Sequence, residues 1–457
     1  MKGTPELLKK CEGYRHAVLI FVDADGYPVS VASDYRVDES RGVLTLATPA
    51  GDEVLPADGT EVNVIVSHIR PYPGMGYDQR RYVQVWGPVR RVNGSLEVTA
   101  VRFHTWNEQE TPFVEYNEIS VPQSKRYLRR LSREQGREVR PRLSGFWLFL
   151  RATRLPFLTA TFVPVILGVA VAANDGRFHL GFALLTLLGA SCIHLGLNVA
   201  NDVFDTMSGA DAANTTPTQF SGGSRVVHYG LMSLRSLALI SAAFYVAGIA
   251  IGLYLAIERG FWPLFWIGFI GVVISVIYTA PPFRLVHRGI GEIAVGIGFG
   301  PIVVLGSYFV QAQRLSWEAA YVSIPVAIFI ALILYLNEIP DRAGDARAGK
   351  RTLPVRWSRE RVIAVYEGAV WLAYAVIAVG AITGLTPGPT IIALATIPVF
   401  RKALKGIRRH YESPYELMPF LGTNIQLHLF TGLLLFAGYL VAIIAGNISA
   451  DPPAFLR

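Results

Sequence analysis

Two patterns of hydrophobic and polar residues divide the chain of 457 residues. Up to about residue 143, short β-type apolar runs alternate with polar turns, from "HAVLIFV" to "SLEVTAV". Beyond that point apolar runs of about 20 residues dominate, which is the length that a helix needs to cross a bilayer. The pattern predicts a multi-domain protein with a small N-terminal β-barrel and an all-α polytopic membrane bundle.

The N-terminal region is predicted to form about six strands that close into a small barrel. Asp25-Gly26 and Asn93-Gly94 are favourable hairpin turns between such strands. Over roughly residues 12–120, the order and spacing of the strands resemble the split barrel of flavin-reductase and pyridoxamine-phosphate-oxidase-like proteins, which often hold a flavin. The resemblance makes FMN a candidate cofactor of this domain.

A candidate phosphate site lies in the stretch "SHIRPYPGMGYDQRRY". It carries His68, Arg70, Arg80 and Arg81, which could meet the phosphate of a flavin. A solvated loop with ordinary surface arginines explains the same residues. A barrel without a cofactor, serving as a docking or regulatory module, is equally compatible with the sequence.

The second region contains about nine apolar runs that predict membrane spans. They lie near residues 156–173, 179–200, 236–257, 261–279, 291–311, 318–336, 363–384, 388–400 and 426–446. The eighth run is the shortest. An odd number of spans would place the two chain ends on opposite sides of the lipid bilayer.

The net charge of +8 supports this topology through its distribution. Loops after the second, fourth, sixth and eighth spans are rich in Lys and Arg, whereas the opposite loops carry little more than Arg177, Arg259 and Arg314. Because basic loops stay on the cytoplasmic side, we expect an integral protein of the cell membrane with a cytoplasmic N-terminal domain. The first residues, "MKGTPELLKKCEGYRH", lack the apolar core of a secretory signal.

Composition places the predicted boundaries at residues 1–122 for the barrel, 123–146 for a basic linker and 147–457 for the membrane domain. The linker can rest on anionic lipid headgroups, at about 1 kcal/mol per basic residue. It has no aromatic interleaving or groove-reading motif, so no nucleic-acid partner is expected. Cys11 and Cys192 fall in different regions, which argues against a disulfide or a cysteine metal site.

Two matched polar pairs stand where two predicted spans end in the cytoplasm. Asn201 and Asp205 follow the second span, and Asp341 and Asp345 follow the sixth. Residues four apart project from one face of a helix, so the two pairs can face each other across a cavity. Oxygen ligands of this kind suit Mg²⁺, whose coordination shell is completed by substrate phosphates and water.

Basic residues accompany both pairs. Lys350 and Arg351 follow the second pair, and Arg225 lies in "SGGSRV" after the first. Such side chains can neutralise a diphosphate, Arg through a bidentate fork and Lys as a point charge. Interfacial solvation explains a single aspartate pair well, but it does not explain two matched pairs that are each followed by glycines and basic residues.

At this point the chain resembles a known family. "NDVFDTMSGAD", with "GGSRV" downstream, and "DRAGDARAGKRTLPVR" look like the two aspartate-rich motifs of the UbiA superfamily of intramembrane prenyltransferases, over about residues 147–446. The details are most similar to the branch that prenylates 1,4-dihydroxy-2-naphthoate in menaquinone synthesis. One departure is the start of the second motif, "NEIPD", where that branch more often has "NNIRD", so Glu338 and Pro340 are unusual.

The resemblance implies Mg²⁺-dependent transfer of a polyprenyl group from a polyprenyl diphosphate to a small aromatic acceptor. The implied metal ligands are Asn201, Asp205, Asp341 and Asp345. Asp205, Asp341, Asp345 and Tyr278 would be catalytic, the tyrosine by stabilising an allylic cation through its ring. The implied substrate-binding residues are Asn198, Arg154, Arg225, Lys350 and Arg351. Asp202 and Asp211 could assist at the first motif or be solvated.

Several alternatives stay open at this stage. Tyr278 fits a structural tyrosine at the membrane interface, and Arg154 fits a positive-inside anchor. His194 could line the cavity or be a hydrogen-bonded packing residue. The acceptor could be another naphthoate, quinone or porphyrin-type ring, or the glycerol phosphate of a lipid. A carrier that kept the fold without catalysis is a further alternative.

Overall fold

The computed structural model describes residues 4–23, 28–48, 55–72, 76–111, 145–209, 223–227 and 231–450, with residues 116, 126, 129, 130, 132, 133, 136 and 137. The chain forms two compact units, Met1–Arg126 and Tyr127–Arg457. The predicted turn Asp25-Gly26, the side chain of Arg70 and the whole of Asp211 lie outside the described residues.

The first unit begins with a short helix, α1 (Thr4–Lys9), and continues as an antiparallel sheet. Its strands are β1 (Ala17–Val22), β2 (Pro28–Ser33), β3 (Tyr35–Asp38), β4 (Val43–Ala47), β5 (Glu61–Tyr72), β6 (Gly76–Val92), β7 (Ser95–Thr99) and β8 (Arg102–Asn107). The strand order is β2-β1-β5-β6-β7-β4-β3, and β8 also pairs with β6. The described residues of this unit therefore form eight strands, where the sequence predicted about six.

The sheet closes around one apolar core. The two ends of its order, β2 and β3, are separated along the chain only by Asp34. Side chains alternate between buried and less buried along β1 and β7, as the two-residue period of a strand requires. Leu19, Leu44 and Val64 are among the fully buried residues inside. This arrangement confirms the predicted strand-rich N-terminal domain.

The long strand β6 connects the two halves of the sheet. It pairs with β5 up to Pro88, with β8 up to Trp86 and with β7 from Val89 onward. At Gly87 a Cβ atom would lie 1.6 Å from the carbonyl oxygen of Thr99, so only glycine fits this crossing. The predicted Asn93-Gly94 turn joins β6 to β7, and both residues have the positive φ angles of a tight hairpin.

The second unit is helical. Its helices are α2 (Gly145–Thr153), α3 (Thr159–Asn174), α4 (Leu180–Ser208), α5 (Leu234–Arg259), α6 (Phe261–Thr279), α7 (Gly291–Ile297), α8 (Val303–Ala312), α9 (Trp317–Arg347), α10 (Leu353–Arg356), α11 (Arg359–Thr383), α12 (Ile397–His410) and α13 (Pro414–Ala450). A π-turn, Gly298–Ile302, joins α7 to α8 within one span. Short 3₁₀ segments cover Leu155–Leu158, Leu285–His287 and Gly388–Thr396.

Seven helices in the described part of the chain are long and apolar enough to cross a membrane, and they coincide with seven of the nine predicted spans. The first predicted span is the shorter apolar helix α3. The eighth is the 3₁₀ segment Gly388–Thr396 followed by the start of α12. Apolar Phe400 and Leu404 are buried there while Arg401 and Lys405 are exposed, the pattern of an amphipathic helix.

Close helix contacts position the functional region. A Cβ atom at Gly168 of α3 would lie 2.4 Å from the carbonyl oxygen of Val304 in α8. A Cβ atom at Gly248 of α5 would lie 3.0 Å from the carbonyl oxygen of Gly189 in α4. Small residues let helix backbones approach closely in a membrane, and these contacts hold α3, α4, α5 and α8 around the cavities described next.

Candidate active site

A polar cavity of about 170 Å³ lies where α4 and α9 end. Both aspartate motifs contribute to its wall, so the structure brings the two predicted pairs together. Its polar lining residues are Arg154, His194, Asn198, Asn201, Asp205, Tyr278, Asn337, Glu338, Asp341, Asp345, Lys350 and Thr352.

The first pair lies on the last two turns of α4. The Asn201 amide donates a hydrogen bond to the Asp205 carboxylate over 3.0 Å, as the spacing of four residues predicted. One turn earlier, the Asn198 amide donates to the carbonyl oxygen of Thr153 over 3.1 Å. Asn198 thereby ties α4 to the end of α2 while its side chain borders the cavity.

The second pair lies at the end of α9, and Lys350 connects it to the first. The Lys350 ammonium lies 2.9 Å from Asp205 Oδ1 and 3.7 Å from Asp345 Oδ1. Burial by itself lowers the pKa of Lys350, but the carboxylates of Asp205 and Asp345 outweigh burial and raise it above its usual value. The lysine is therefore a permanent positive charge between the two motifs.

The loop Leu285–His287 forms part of the same polar end. The carbonyl oxygen of His287 accepts a hydrogen bond from the Arg351 amide over 2.8 Å, which joins this loop to the segment after α9. His287 Nε2 lies 4.0 Å from Asp205 Oδ1. Burial and the nearby Lys350 lower the pKa of His287 to about 4, so its ring is neutral at pH 7.

The sequence left open whether Asp202 assists at the first motif or is solvated. In the structure it is not solvated, and it supports neighbouring residues of the cavity. It is almost fully buried, pairs with Arg154 and accepts a hydrogen bond from the Ser224 amide over 3.0 Å. The Arg151 guanidinium donates to the carbonyl oxygen of Ser224 over 2.9 Å. Asp202 thus holds Arg154 at the cavity wall and fixes the segment that carries Gly223.

Two predicted substrate-binding residues lie elsewhere in this structure. Arg351 is exposed and is not part of the cavity lining, although its neighbours Lys350 and Thr352 are. Arg225 is buried beside the Ser224 segment, also outside that lining. Their contacts with a diphosphate stay a prediction.

A larger, apolar cavity of about 320 Å³ lies between α4, α5, α6 and the α7–α8 span. Seven of its lining residues are glycines, which leaves its walls smooth. Leu253 and Phe269 line it and are 41% and 50% exposed on the outside of the bundle. The cavity therefore opens toward the lipid-facing surface.

The two cavities meet at a shared ring of residues: His194, Leu197, Tyr278, Val295 and Phe299. His194 Nδ1 is hydrogen-bonded to the Thr161 hydroxyl over 2.7 Å, and its ring lies 4.6 Å from that of Phe299. His194 is thus both a cavity residue and a hydrogen-bonded packing residue. Phe299 lies in the π-turn, and such turns often mark functional sites in helices.

Sequence reasoning missed several lining residues. Asn337 and Thr352 flank the second motif and line the polar cavity. Glu292, in the first turn of α7, is buried next to Glu338. Glu292 could have been selected from the sequence, because it begins an apolar span and a charged group inside a membrane is costly.

The donor set fits Mg²⁺ bound together with a diphosphate. In the described part of the chain, no three His, Cys, Asp or Glu side chains converge as a self-sufficient metal site. Mg²⁺ commonly uses one or two carboxylates and takes its other ligands from phosphates and water. The Asn201–Asp205 and Asp341–Asp345 pairs each supply such an incomplete set on one cavity wall.

Comparison with known proteins identifies the class. The model of the UbiA prenyltransferase family matches residues 161–425, so the chain belongs to this family and is an integral membrane prenyltransferase. The predicted family is thereby confirmed.

Two curated relatives agree with this class. The chain is 28% identical over 293 residues to the 2-carboxy-1,4-naphthoquinone phytyltransferase of Synechocystis sp., covering 64% of this chain and 92% of the relative. It is also 28% identical over 290 residues to the 1,4-dihydroxy-2-naphthoate octaprenyltransferase of Bacillus subtilis, covering 64% and 91%. A solved UbiA homolog from Archaeoglobus fulgidus bound to GPP and Mg²⁺ is 16% identical, with a TM-score of 0.47 over 63% of this chain and 99% of that one.

Proposed function

We propose that this protein transfers a polyprenyl group from a polyprenyl diphosphate to 1,4-dihydroxy-2-naphthoate, in a reaction that requires Mg²⁺. The observation that carries the proposal is the junction of the two cavities at one ring of residues. A prenyl donor likewise has two parts, a charged diphosphate head that suits the polar cavity and an isoprenoid tail that suits the apolar one. The names of the naphthoate-prenylating relatives support the choice of acceptor.

The donor diphosphate occupies the polar cavity. Lys350 and Arg154 supply positive charge there, and Asn201, Asp205, Asp341 and Asp345 would hold Mg²⁺. When bound, Mg²⁺ acts as a Lewis acid that stabilises the negative charge of the leaving diphosphate. The isoprenoid tail lies in the apolar cavity, where each buried carbon contributes about 0.8 kcal/mol.

The reacting carbon then lies at the shared ring. The C–O bond breaks, diphosphate leaves with the bonding electrons, and an allylic cation forms. The electron-rich acceptor ring captures this cation by forming a C–C bond, and the ring becomes aromatic again when the attacked carbon loses its proton or its carboxylate as CO2. Tyr278 borders both cavities, so its ring face can stabilise the cation. The surrounding apolar residues Leu197, Val295 and Phe299 exclude water that would otherwise quench the cation.

The proposal includes a location. With the basic loops on the cytoplasmic side of the cell membrane, the ends of the spans that carry both aspartate motifs are cytoplasmic, and the N-terminal domain is cytoplasmic as well. Reporter fusions after residues 10 and 446 test this topology. A cytoplasmic reporter active only at the first position and an external one active only at the second are expected.

The decisive experiment uses membranes that contain the protein, a radiolabelled polyprenyl diphosphate and 1,4-dihydroxy-2-naphthoate, with Mg²⁺ or EDTA. A lipid-soluble prenylated naphthoate should form only with Mg²⁺. Asp205→Asn should slow its formation about 10²- to 10³-fold, the typical effect of removing one electrostatic contribution to the transition state. The control is Glu367→Gln on α11, which removes a surface ion pair with Arg408 of α12 and should retain activity.

The outcomes separate the parts of the proposal. Asp205-dependent consumption of the donor without a naphthoate product would refute the acceptor. A donor that stays intact at every prenyl length, with or without Mg²⁺, would refute prenyl transfer altogether and favour a carrier.

A further inference from the structure

Glu338 stands out among the buried residues of the membrane unit. It is 6% exposed and lines the polar cavity. Within the described part of the chain, its side-chain hydrogen-bonding partner is the carboxyl group of Glu292, and at least one of its own carboxyl oxygens has no donor. A buried polar atom without a partner is costly, so its persistence at a cavity wall points to a ligand.

Glu292 lies behind Glu338 and makes the arrangement more unusual. Its carboxyl group is also 6% exposed, has an unpartnered Oε1 and lies close enough to Glu338 to interact directly. The Thr352 hydroxyl, 1% exposed, is another unpartnered polar group on the same cavity wall. The cavity thus carries hydrogen-bonding capacity that the described protein groups leave unused.

The depth of Glu338 indicates which part of the ligand it would meet. Along α9, with a rise of about 1.5 Å per residue, it lies about 4.5 Å deeper than Asp341. The apolar lining residues Ile330 and Leu334 follow on its inner side. Glu338 therefore lies between the motif that holds the diphosphate and the region that holds the tail, next to Tyr278.

We propose that Glu338, supported by Glu292, recognises the aromatic acceptor by accepting a hydrogen bond from a ring hydroxyl group. This inference rests on the proposed function and specifies its acceptor subsite. Two buried carboxyl groups in contact share a proton. With that proton held between Glu338 and Glu292, the remaining oxygen of Glu338 can only accept, so it selects for donors on the ligand. Rings whose hydroxyl groups are free bind productively, and rings whose hydroxyl groups are blocked leave that oxygen unpaired.

A cation bound between the two glutamates is the competing explanation. The described residues supply no third acidic or imidazole ligand there, and an all-protein cation site ordinarily needs more oxygen ligands than this pair provides. A hydroxyl donor satisfies the same oxygens with one contact.

The test compares 1,4-dihydroxy-2-naphthoate with its two mono-O-methyl ethers, using the full-length protein in nanodiscs with Mg²⁺ and a fixed polyprenyl diphosphate. Wild-type protein should prefer the free dihydroxy ring, as sites built to hydrogen-bond a substrate do. In Glu338→Leu, kcat/KM for that ring should fall about 3- to 10-fold, the effect of one hydrogen bond between neutral groups. For at least one of the two ethers, kcat/KM should change little in this variant. The preference for free hydroxyl groups should therefore nearly vanish. The KM for the donor should stay within about twofold, because diphosphate contacts are intact.

The control is Glu318→Gln at the opposite end of α9, where the carboxylate accepts a hydrogen bond from Tyr439 over 2.8 Å. This variant should keep the wild-type preference. If Glu338→Leu does not fold, Glu338→Gln and Glu292→Gln replace it, and each should weaken the preference in part.

An unchanged acceptor preference in the Glu338 variants would overturn the inference while leaving prenyl transfer intact. A rise in the Mg²⁺ requirement with the preference unchanged would also overturn it, in favour of a cation site. Wild-type protein that prenylates none of these rings would refute the proposed acceptor and the subsite with it.

Discussion

Removing the Lys350 ammonium is expected to destabilise the protein strongly when no other cation is present. Its Nζ atom lies 2.9 Å from Asp205 and 3.7 Å from Asp345. With an effective dielectric constant of about 20, these distances correspond to gross attractions of about 6 and about 4 kcal/mol. The cost of desolvating the lysine offsets part of this attraction. Removing one partner of a buried ion pair typically costs about 3–5 kcal/mol. We expect Lys350→Met to lower the free energy of unfolding by this amount.

Thermal unfolding of purified protein in EDTA measures this loss. For a unit of this size, 1 kcal/mol shifts the Tm by about 2 °C, so Lys350→Met should unfold about 6–10 °C below wild type. Mg²⁺ with an unreactive polyprenyl diphosphate analogue should restore much of the difference, because a bound cation replaces the missing charge. Arg351→Met is the matched control, since it removes an exposed cation from the same loop and should shift the Tm by less than about 1 °C. Equal shifts in the two variants, or no shift in Lys350→Met, would refute this reasoning.

Three further predictions follow from individual positions. Gly252→Leu should shift products toward shorter prenyl chains, because Gly252 lines the apolar cavity with open space beside it and displacing one five-carbon unit costs up to about 4 kcal/mol. Mass spectrometry of products from mixed donors tests this, with the similarly open Gly368 on α11 as the control for Gly→Leu. The folded-state pKa of His287 is about 4, below the unfolded value of about 6.5, so its contribution to stability is present above pH 6.5 and is lost as the pH falls toward 4. His287→Gln should therefore flatten the fall of the Tm over this range, and an unchanged slope would contradict that. Gly87→Ala should cost the barrel about 3 kcal/mol, because its Cβ would lie 1.6 Å from the Thr99 carbonyl oxygen; urea unfolding measures it.

Features set by local sequence were predictable. The Asn93-Gly94 turn follows from residues that tolerate positive φ, and the faces of the two aspartate pairs follow from helical spacing. Seven of the spans coincide with apolar runs of sufficient length. The eighth predicted span is the 3₁₀ segment Gly388–Thr396 followed by the start of the basic helix α12, and as a full span it stays a prediction.

Features set by contacts between distant segments were not predictable. The position of Lys350 between Asp205 and Asp345 depends on how α4 and α9 meet. The Glu292–Glu338 pair joins residues of α7 and α9, and spacing along the chain gives no sign of it. Arg225 and Arg351 were chosen by motif proximity, yet the backbone places both outside the cavity lining.

The outward opening of the apolar cavity beside Leu253 and Phe269 has a consequence for how affinity is expressed. A ligand that enters from the bilayer is governed by its mole fraction among lipids, and its aqueous concentration is irrelevant to occupancy. Two preparations with the same amount of donor but different amounts of lipid will therefore give different apparent KM values. Constants for the isoprenoid ligand of this protein belong on a surface-density scale.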